Sequence, residues 1–111
     1  MAPARPNLLF ITADDMNYDS PGCYGSRTPD ITPNIDSLAS EGMAFTNAHV
    51  TIAVCMPSRE VLMTGRYPYR NGGEGFEPIR KDVPTLQEQL HEAGYLNGIL
   101  GKENHLAPVE K

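Results

Sequence analysis

Hydrophobic residues occur in short segments along the chain, and the spacing within each segment predicts its secondary structure. Residues 7–13 form a continuous apolar run with β-branched and aromatic members, which predicts a strand buried on both faces of a parallel sheet. Residues 43–50 place alternate side chains on opposite faces, and residues 95–100 form another largely apolar run. The pattern therefore predicts three strands.

Two helices follow from capping residues and from apolar positions spaced three or four apart. The first begins with Thr32 as N-cap before a proline and ends at Gly42. The second begins with a capping box formed by Thr85 and Glu88 and ends at Gly94, before a strand, as in an α/β crossover. Their predicted buried stripes are Ile35, Leu38 and Ala39 on the first helix and Leu86, Leu90 and Ala93 on the second.

A third helix is predicted from Pro57 to near Gly65, because proline suits the first turn, where its missing N–H has no helical partner. Cys55 then lies at or beside the helix N-terminus, where backbone N–H groups and the helix dipole favour negative charge. Arg59 follows one turn later, so its guanidinium can return to the same end. The residues alone allow either a reactive side chain among anion-binding groups or a buried cysteine ahead of an ordinary helix.

Charged residues follow the first and the third predicted strand. Asp14 and Asp15 come directly after residues 7–13, and an all-oxygen anionic pair suits a hard cation such as Ca²⁺ or Mg²⁺. Lys102 and His105 follow residues 95–100, at the same predicted edge of the sheet, where open α/β sheets bind ligands. Taken alone, each group is more typical of a solvated surface turn than of a site.

Composition indicates a soluble globular domain. The chain has 111 residues, of which 40% are hydrophobic and 21% charged. A net charge of −5 argues against general attraction to nucleic acids or to a membrane surface, so anion affinity must come from local groups and a cation. No apolar run approaches the roughly 20 residues of a membrane span.

Cysteine content and the N-terminus add two expectations. Two cysteines are too few for a disulfide scaffold, and we expect Cys23 to be a buried or half-buried loop residue. Residues 1–6 lack an apolar signal region. The protein is then either cytoplasmic, or periplasmic or secreted with its leader absent from this sequence.

Two motifs resemble the signatures of one enzyme family. The segment C-M-P-S-R-E-V-L-M-T-G at residues 55–65 is similar to the first sulfatase signature, C-x-P-S-R-x-x-x-x-T-G, with Met56 in place of the usual small residue. The second signature, G-Y-x-T-x-x-x-G-K-x-x-H, is matched except that Asn97 replaces threonine. The matching residues of this second motif are Gly94, Tyr95, Gly101, Lys102 and His105.

The resemblance covers about residues 5–108 and implies an α/β fold. Sulfatases have an alkaline-phosphatase-like sandwich with a mostly parallel central sheet flanked by helices. Residues 1–111 would be the N-terminal portion of the catalytic domain, with further metal ligands and the leaving-group acid beyond residue 111. Such a fragment is expected to be inactive alone.

The resemblance also implies a role for six residues. Cys55 would be oxidised to formylglycine, whose hydrate is the nucleophile, and Asp14, Asp15 and the modified Cys55 would bind Ca²⁺, with Mg²⁺ as the alternative. Arg59 would hold the hydrate, Lys102 would neutralise sulfate oxygens, and His105 would take up a proton. All six are expected to converge at one rim of the sheet.

The implied substrate is a sulfate ester or N-sulfate, as a small molecule or a sulfated carbohydrate, and the implied partner is a formylglycine-generating maturation enzyme. The G-K-x-x-H spacing and the following residues 106–108 resemble the sulfamidase branch. Two alternatives stay open: a phosphonate monoester hydrolase or phosphodiesterase of the same superfamily, and an inactive fragment that binds an anion or a partner subunit. The sequence makes no prediction about the oligomeric state.

Overall fold

The structure is a computed structural model that describes residues 5–102 of the chain. In that range it has four α-helices, one 3₁₀-helix and no β-strand. The chain divides into two compact units between Ala48 and His49. The described helices are all too short or too polar to span a bilayer. The elements are the 3₁₀-helix Gly22–Tyr24 and the helices α1 (Pro33–Glu41), α2 (Cys55–Thr64), α3 (Pro68–Asn71) and α4 (Leu86–Glu92).

The first unit contains the 3₁₀-helix and α1, which are joined by polar side chains. Thr32, the N-cap residue of α1, accepts a hydrogen bond from the Gly22 N–H at 2.8 Å and donates to the Asp36 carboxylate at 3.1 Å. The same carboxylate accepts from the Cys23 N–H at 2.8 Å. Burial and the neighbouring Asp36 raise the pKa of the Cys23 thiol. Cys23 is nevertheless exposed, so the prediction of a buried or half-buried residue is wrong.

The second unit is organised around α2, which packs against α3 and α4. Met56 and Pro57, in the first turn of α2, are buried, as are Ile79 and Val83 in the segment that follows α3. These residues form the apolar core of the unit within the described range. Because both buried apolar residues of α2 lie in its first turn, the core fixes the end of the helix at which Cys55 lies.

Asn71 connects the far end of α2 to the segment that follows it. Its side chain is fully buried and donates to the Thr64 hydroxyl at 3.2 Å and to the Arg66 carbonyl at 3.3 Å. Its Oδ1 atom accepts from the Gly73 N–H at 2.8 Å, and its carbonyl accepts from the Arg80 N–H at 2.8 Å. One buried amide therefore holds the turn together, as expected for a buried polar group.

The predicted helices are confirmed. The first, α1, has Thr32 as its N-cap and Gly42 as its C-cap, and α4 has the full capping box of Thr85 and Glu88. Helix α2 ends at Gly65, whose φ of 63° is the left-handed conformation that glycine adopts readily. It begins two residues earlier than predicted, and the short helix α3 was not predicted.

The predicted strands are not formed in the described range. Residues 7–13, 43–50 and 95–100 lie outside all regular secondary structure. Their apolar side chains face solvent, with Leu9 86% exposed and Leu96 and Leu100 100% exposed. A strand buried on both faces needs neighbouring strands to pair its backbone and helices to cover its faces, and a lone apolar run has neither.

The apolar stripes of the helices are not buried either, for the same reason. Leu38 on α1 is 69% exposed, Ile35 and Leu86 are also exposed, and Leu90 is only half-buried. Ala39 is half-buried and Ala93 is exposed. The stripes were predicted from the spacing of apolar residues along each helix, and the sheet that would cover them is not formed by the described residues.

Replacing Asn71 by Ala is predicted to destabilise the second unit. The substitution leaves the Gly73 N–H and the Arg66 carbonyl without their side-chain partner and should lower the free energy of unfolding by about 3 kcal/mol. Chemical denaturation measures the difference. Asn97 is the control, because it is exposed and makes one side-chain hydrogen bond, to the Gln87 carbonyl. A loss for Asn71→Ala no larger than that for Asn97→Ala would contradict the prediction.

Candidate functional site

Helix α2 begins at Cys55, and Pro57 in its first turn is compatible with that start. The first backbone hydrogen bond of the helix runs from the Ser58 N–H to the Val54 carbonyl, at 3.0 Å. Pro57, which has no N–H, sits just before that first donor and costs the helix no hydrogen bond. Val54 provides no side-chain cap, and the first turn contains no acidic residue. The positive end of the helix dipole is therefore not offset by a carboxylate within α2 itself.

Arg59 and Cys55 are brought together at this end of the helix. The Arg59 Nε–H donates to the Cys55 sulfur at 3.3 Å, across one helical turn. Arg59 is only 7% exposed, whereas Cys55 is half-buried. Burying a guanidinium costs free energy unless it is paired with an electron-rich group. The position of Arg59 therefore favours an electron-rich group at residue 55.

Of the three predicted metal ligands, the two aspartates lie in the first unit and Cys55 lies in the second. Asp14 and Asp15 are both exposed, and Asp15 has a φ of 56°. Lys102, in the second unit, is also exposed and has a φ of 57°. In the described part of the chain only one other non-glycine residue, Asp30, has a positive φ. Left-handed backbone at non-glycine residues is uncommon and often occurs at functional sites. Two of the three residues with this conformation, Asp15 and Lys102, are predicted site residues.

Asp14 and Asp15 have the chemistry expected of ligands for a hard divalent cation. Ca²⁺ and Mg²⁺ prefer oxygen ligands, and Asp14 and Asp15 supply two adjacent carboxylates. Within residues 5–102, no three side chains of the His, Cys, Asp or Glu type come close enough to form a metal site. The pair would therefore need further ligands, since Ca²⁺ takes about six to eight oxygens.

The structure brings together two of the six predicted site residues, Cys55 and Arg59. His105 lies outside the described residues. The convergence of all six at one rim stays a prediction.

Glu60 is a buried carboxylate that the sequence analysis did not single out. It is 6% exposed, and its Oε2 atom is buried without a hydrogen-bond partner among residues 5–102. Burial, followed by the negative charge of Glu77, raises the pKa of Glu60 from 4.5 to about 7. A signal was available: Glu60 is four residues from Met56 and from Thr64, so it lies on one helix face with a residue of the core.

Gly73 packs directly against the Glu60 carboxylate. A Cβ atom built on Gly73 would overlap Glu60 Oε2 and would lie 2.7 Å from Glu60 Cδ. The absence of a side chain at residue 73 therefore makes room for the carboxylate. The sequence offered no separate signal for this contact, which depends on how the chain returns to α2 after α3.

Comparison with protein families gives a match over nearly the whole chain. The model of the Sulfatase family matches residues 6–108. An N-acetylgalactosamine-6-O-sulfatase of Bacteroides thetaiotaomicron is 41% identical over 104 residues, covering 88% of this chain and 20% of its own. Arylsulfatase A of Bos taurus is 43% identical over 110 residues, covering 91% of this chain and 21% of its own. Arylsulfatase A of Homo sapiens is 43% identical over 110 residues, covering 92% and 22%.

The chain thus spans about a fifth of the length of these relatives. No solved structure matches it.

Adding a methyl group at Gly73 is predicted to destabilise the second unit through a clash with Glu60. Gly73→Ala should lower the free energy of unfolding by about 1–3 kcal/mol, the usual cost of overpacking. Gly98→Ala is the control, because nothing lies within 4 Å of a Cβ atom at Gly98.

A double-mutant cycle separates the clash from other effects of the extra methyl group. In a Glu60→Ala background, where the carboxylate is absent, most of the cost of Gly73→Ala should disappear. An undiminished cost in that background would show that Glu60 is not the group being displaced.

Proposed function

This chain belongs to the sulfatase family, and from that premise we propose that residues 1–111 form the N-terminal part of a catalytic domain that hydrolyses sulfate esters or N-sulfates. The observation that carries the proposal is the contact between Arg59 and Cys55 at the N-terminus of α2. Membership of the family implies an alkaline-phosphatase-like α/β fold. We expect the exposed apolar segments to be covered by the part of that domain outside this chain.

A sulfate group is anionic, and its leaving oxygen gains negative charge as the S–O bond breaks, so the site needs fixed positive charge. The N-terminus of α2 supplies partial positive charge, and the Arg59 guanidinium supplies a full one. The chain as a whole has a net charge of −5. Local groups such as these would therefore have to provide the attraction.

Cys55 would be converted to formylglycine, which when present supplies a hydrated aldehyde as the oxygen nucleophile. Arg59 would orient the side chain of residue 55, since its Nε–H already donates to that side chain in the unmodified protein. Because Arg59 is held in a buried position on the same helix, its guanidinium is oriented before substrate binds.

Asp14 and Asp15 would hold a divalent cation, Ca²⁺ or alternatively Mg²⁺, which when bound supplies Lewis-acid polarisation of a sulfate oxygen. Lys102 would neutralise sulfate oxygens as a point charge. His105 would accept the proton released as sulfate leaves. Support for these roles comes from the family signatures at residues 55–65 and 94–105 and from the chemistry of the side chains.

The substrate class we propose is a sulfated carbohydrate. Support comes from the bacterial relative, which is named for a sulfated N-acetylgalactosamine. The mammalian relatives are named only as arylsulfatases, so aryl sulfates are the appropriate general probes. Maturation by a formylglycine-generating enzyme would be required before activity is measured.

Full-length protein carrying this chain, produced together with a formylglycine-generating enzyme, should hydrolyse 4-nitrophenyl sulfate. Mass spectrometry of the Cys55 peptide should show loss of sulfur and gain of an aldehyde. Cys55→Ala should abolish turnover, whereas Cys23→Ala, which removes an exposed thiol in the first unit, should leave it unchanged. Faster cleavage of an aryl phosphonate than of the aryl sulfate would replace the sulfatase assignment with the phosphonate monoester hydrolase alternative.

Arg59→Lys is predicted to lower kcat/KM for the aryl sulfate by about 100-fold. Lysine keeps the charge but loses the planar, rigid donor group that reaches residue 55. The matched control is Arg70→Lys, because Arg70 is an exposed arginine that lies over the Tyr69 ring. Equal effects of the two substitutions would contradict a specific role for the Arg59 guanidinium.

A further inference from the structure

Glu60 and Asn71 attach the same stretch of backbone to α2 in two different ways. Asn71 bonds the Gly73 N–H through its side-chain oxygen and reaches α2 through the Thr64 hydroxyl. Glu60 lies one turn before Thr64 on α2 and packs its carboxylate against Gly73. Gly73, in segment 72–77, is thus held by the hydrogen-bonded side-chain amide of Asn71 and by contact with the Glu60 carboxylate. The Oε2 atom of that carboxylate has no hydrogen-bond partner among the described residues.

The carboxylate is already enclosed by the described residues. Glu60 is 6% exposed, and its buried Oε2 atom has no hydrogen-bond partner in the part of the chain that the structure describes. An ionised carboxylate in that position would lose its hydration without gaining a donor, whereas a protonated one would not carry the charge. The enclosed position is therefore compatible with the neutral form and strongly disfavours the ionised form.

Charged side chains around α2 do not offset this penalty. On α2 itself the charged neighbour is Arg59, which donates to the Cys55 sulfur. On the neighbouring helices and segments these side chains are Arg66, Arg70, Glu74, Glu77, Arg80, Lys81, Asp82, Glu88, His91 and Glu92. Arg80 pairs with Asp82 at 3.2 Å. Of the described groups, Glu77 is the one whose charge acts on Glu60, and it acts against ionisation.

We propose that Glu60 is a proton-dependent latch: its neutral carboxyl holds segment 72–77 against α2, and loss of the proton releases that segment. The released carboxylate moves to water, which opens the contact between Glu60 and Gly73 and weakens the hydrogen bond from the Gly73 N–H to Asn71. The latch lies on the helix that carries Cys55 and Arg59. It goes beyond the proposed sulfatase activity and does not depend on it.

The pH range follows from the two protonation equilibria. Burial and Glu77 raise the pKa of Glu60 to about 7 in the closed arrangement, and in water the value is 4.5. The closed arrangement binds the proton more tightly than the open one. Its free-energy advantage over the open arrangement is therefore complete below pH 4.5. That advantage is lost as pH rises towards about 7 and does not decrease further above it.

Hydrogen exchange of the backbone amides of residues 73–77, measured on the full-length protein, tests the latch without requiring activity. Protection of the Gly73 amide, whose N–H bonds to Asn71, corrected for the intrinsic pH dependence of exchange, should fall about 40-fold from pH 5 to pH 7 and then level off. In Glu60→Gln, which is neutral at every pH, protection should change less than about two-fold over the same range.

Two further variants keep the test decisive if Glu60→Gln does not fold. Glu77→Gln removes the charge that opposes ionisation of Glu60, so the fall in protection should be smaller and should level off at a lower pH. Glu74→Gln is the matched control, an exposed carboxylate in the same segment, and should behave like the wild type. A wild-type profile that is flat, or one that is unchanged by Glu77→Gln, would overturn the proposal.

Discussion

Burial of the first two turns of α2 is the constraint on which the rest of the second unit depends. Met56, Pro57, Arg59 and Glu60 are all buried, and two of these four residues are ionisable. An amphipathic surface helix normally turns its charged residues outward. Here one helix combines two buried apolar residues, the half-buried Cys55 thiol and two buried ionisable side chains, and the apolar residues determine where the other three lie.

The two buried ionisable residues of α2 illustrate different ways of tolerating desolvation. Arg59 has a local partner in the Cys55 sulfur, and its planar guanidinium suits a fixed contact. Glu60 has an oxygen that finds no partner among the described residues, and burial raises the pKa of its carboxyl group. Unpaired buried polar groups are infrequent in proteins, and those that persist often have a role beyond stability.

The helices of this chain form from local signals, while its apolar runs remain exposed. Caps, prolines and the capping box of Thr85 and Glu88 act within a few residues, so they need no distant partner. A strand, in contrast, is stabilised only when another strand pairs with its backbone. Leu9, Leu96 and Leu100 are therefore exposed here. The alkaline-phosphatase-like fold of the family would bury such apolar surface against other parts of the domain.

The sequence by itself determined the helix starts at Thr32 and Thr85, the end of α2 at Gly65, the placement of Cys55 and Arg59 one turn apart, and the sulfatase family. These depend on residues within about one or two helical turns of each other, or on signatures that can be read directly. Only the tertiary structure decided that Asn71 holds the turn after α2 and that Glu60 is enclosed against Gly73. Burial depends on which segments return to pack together, and local residue patterns do not specify that return.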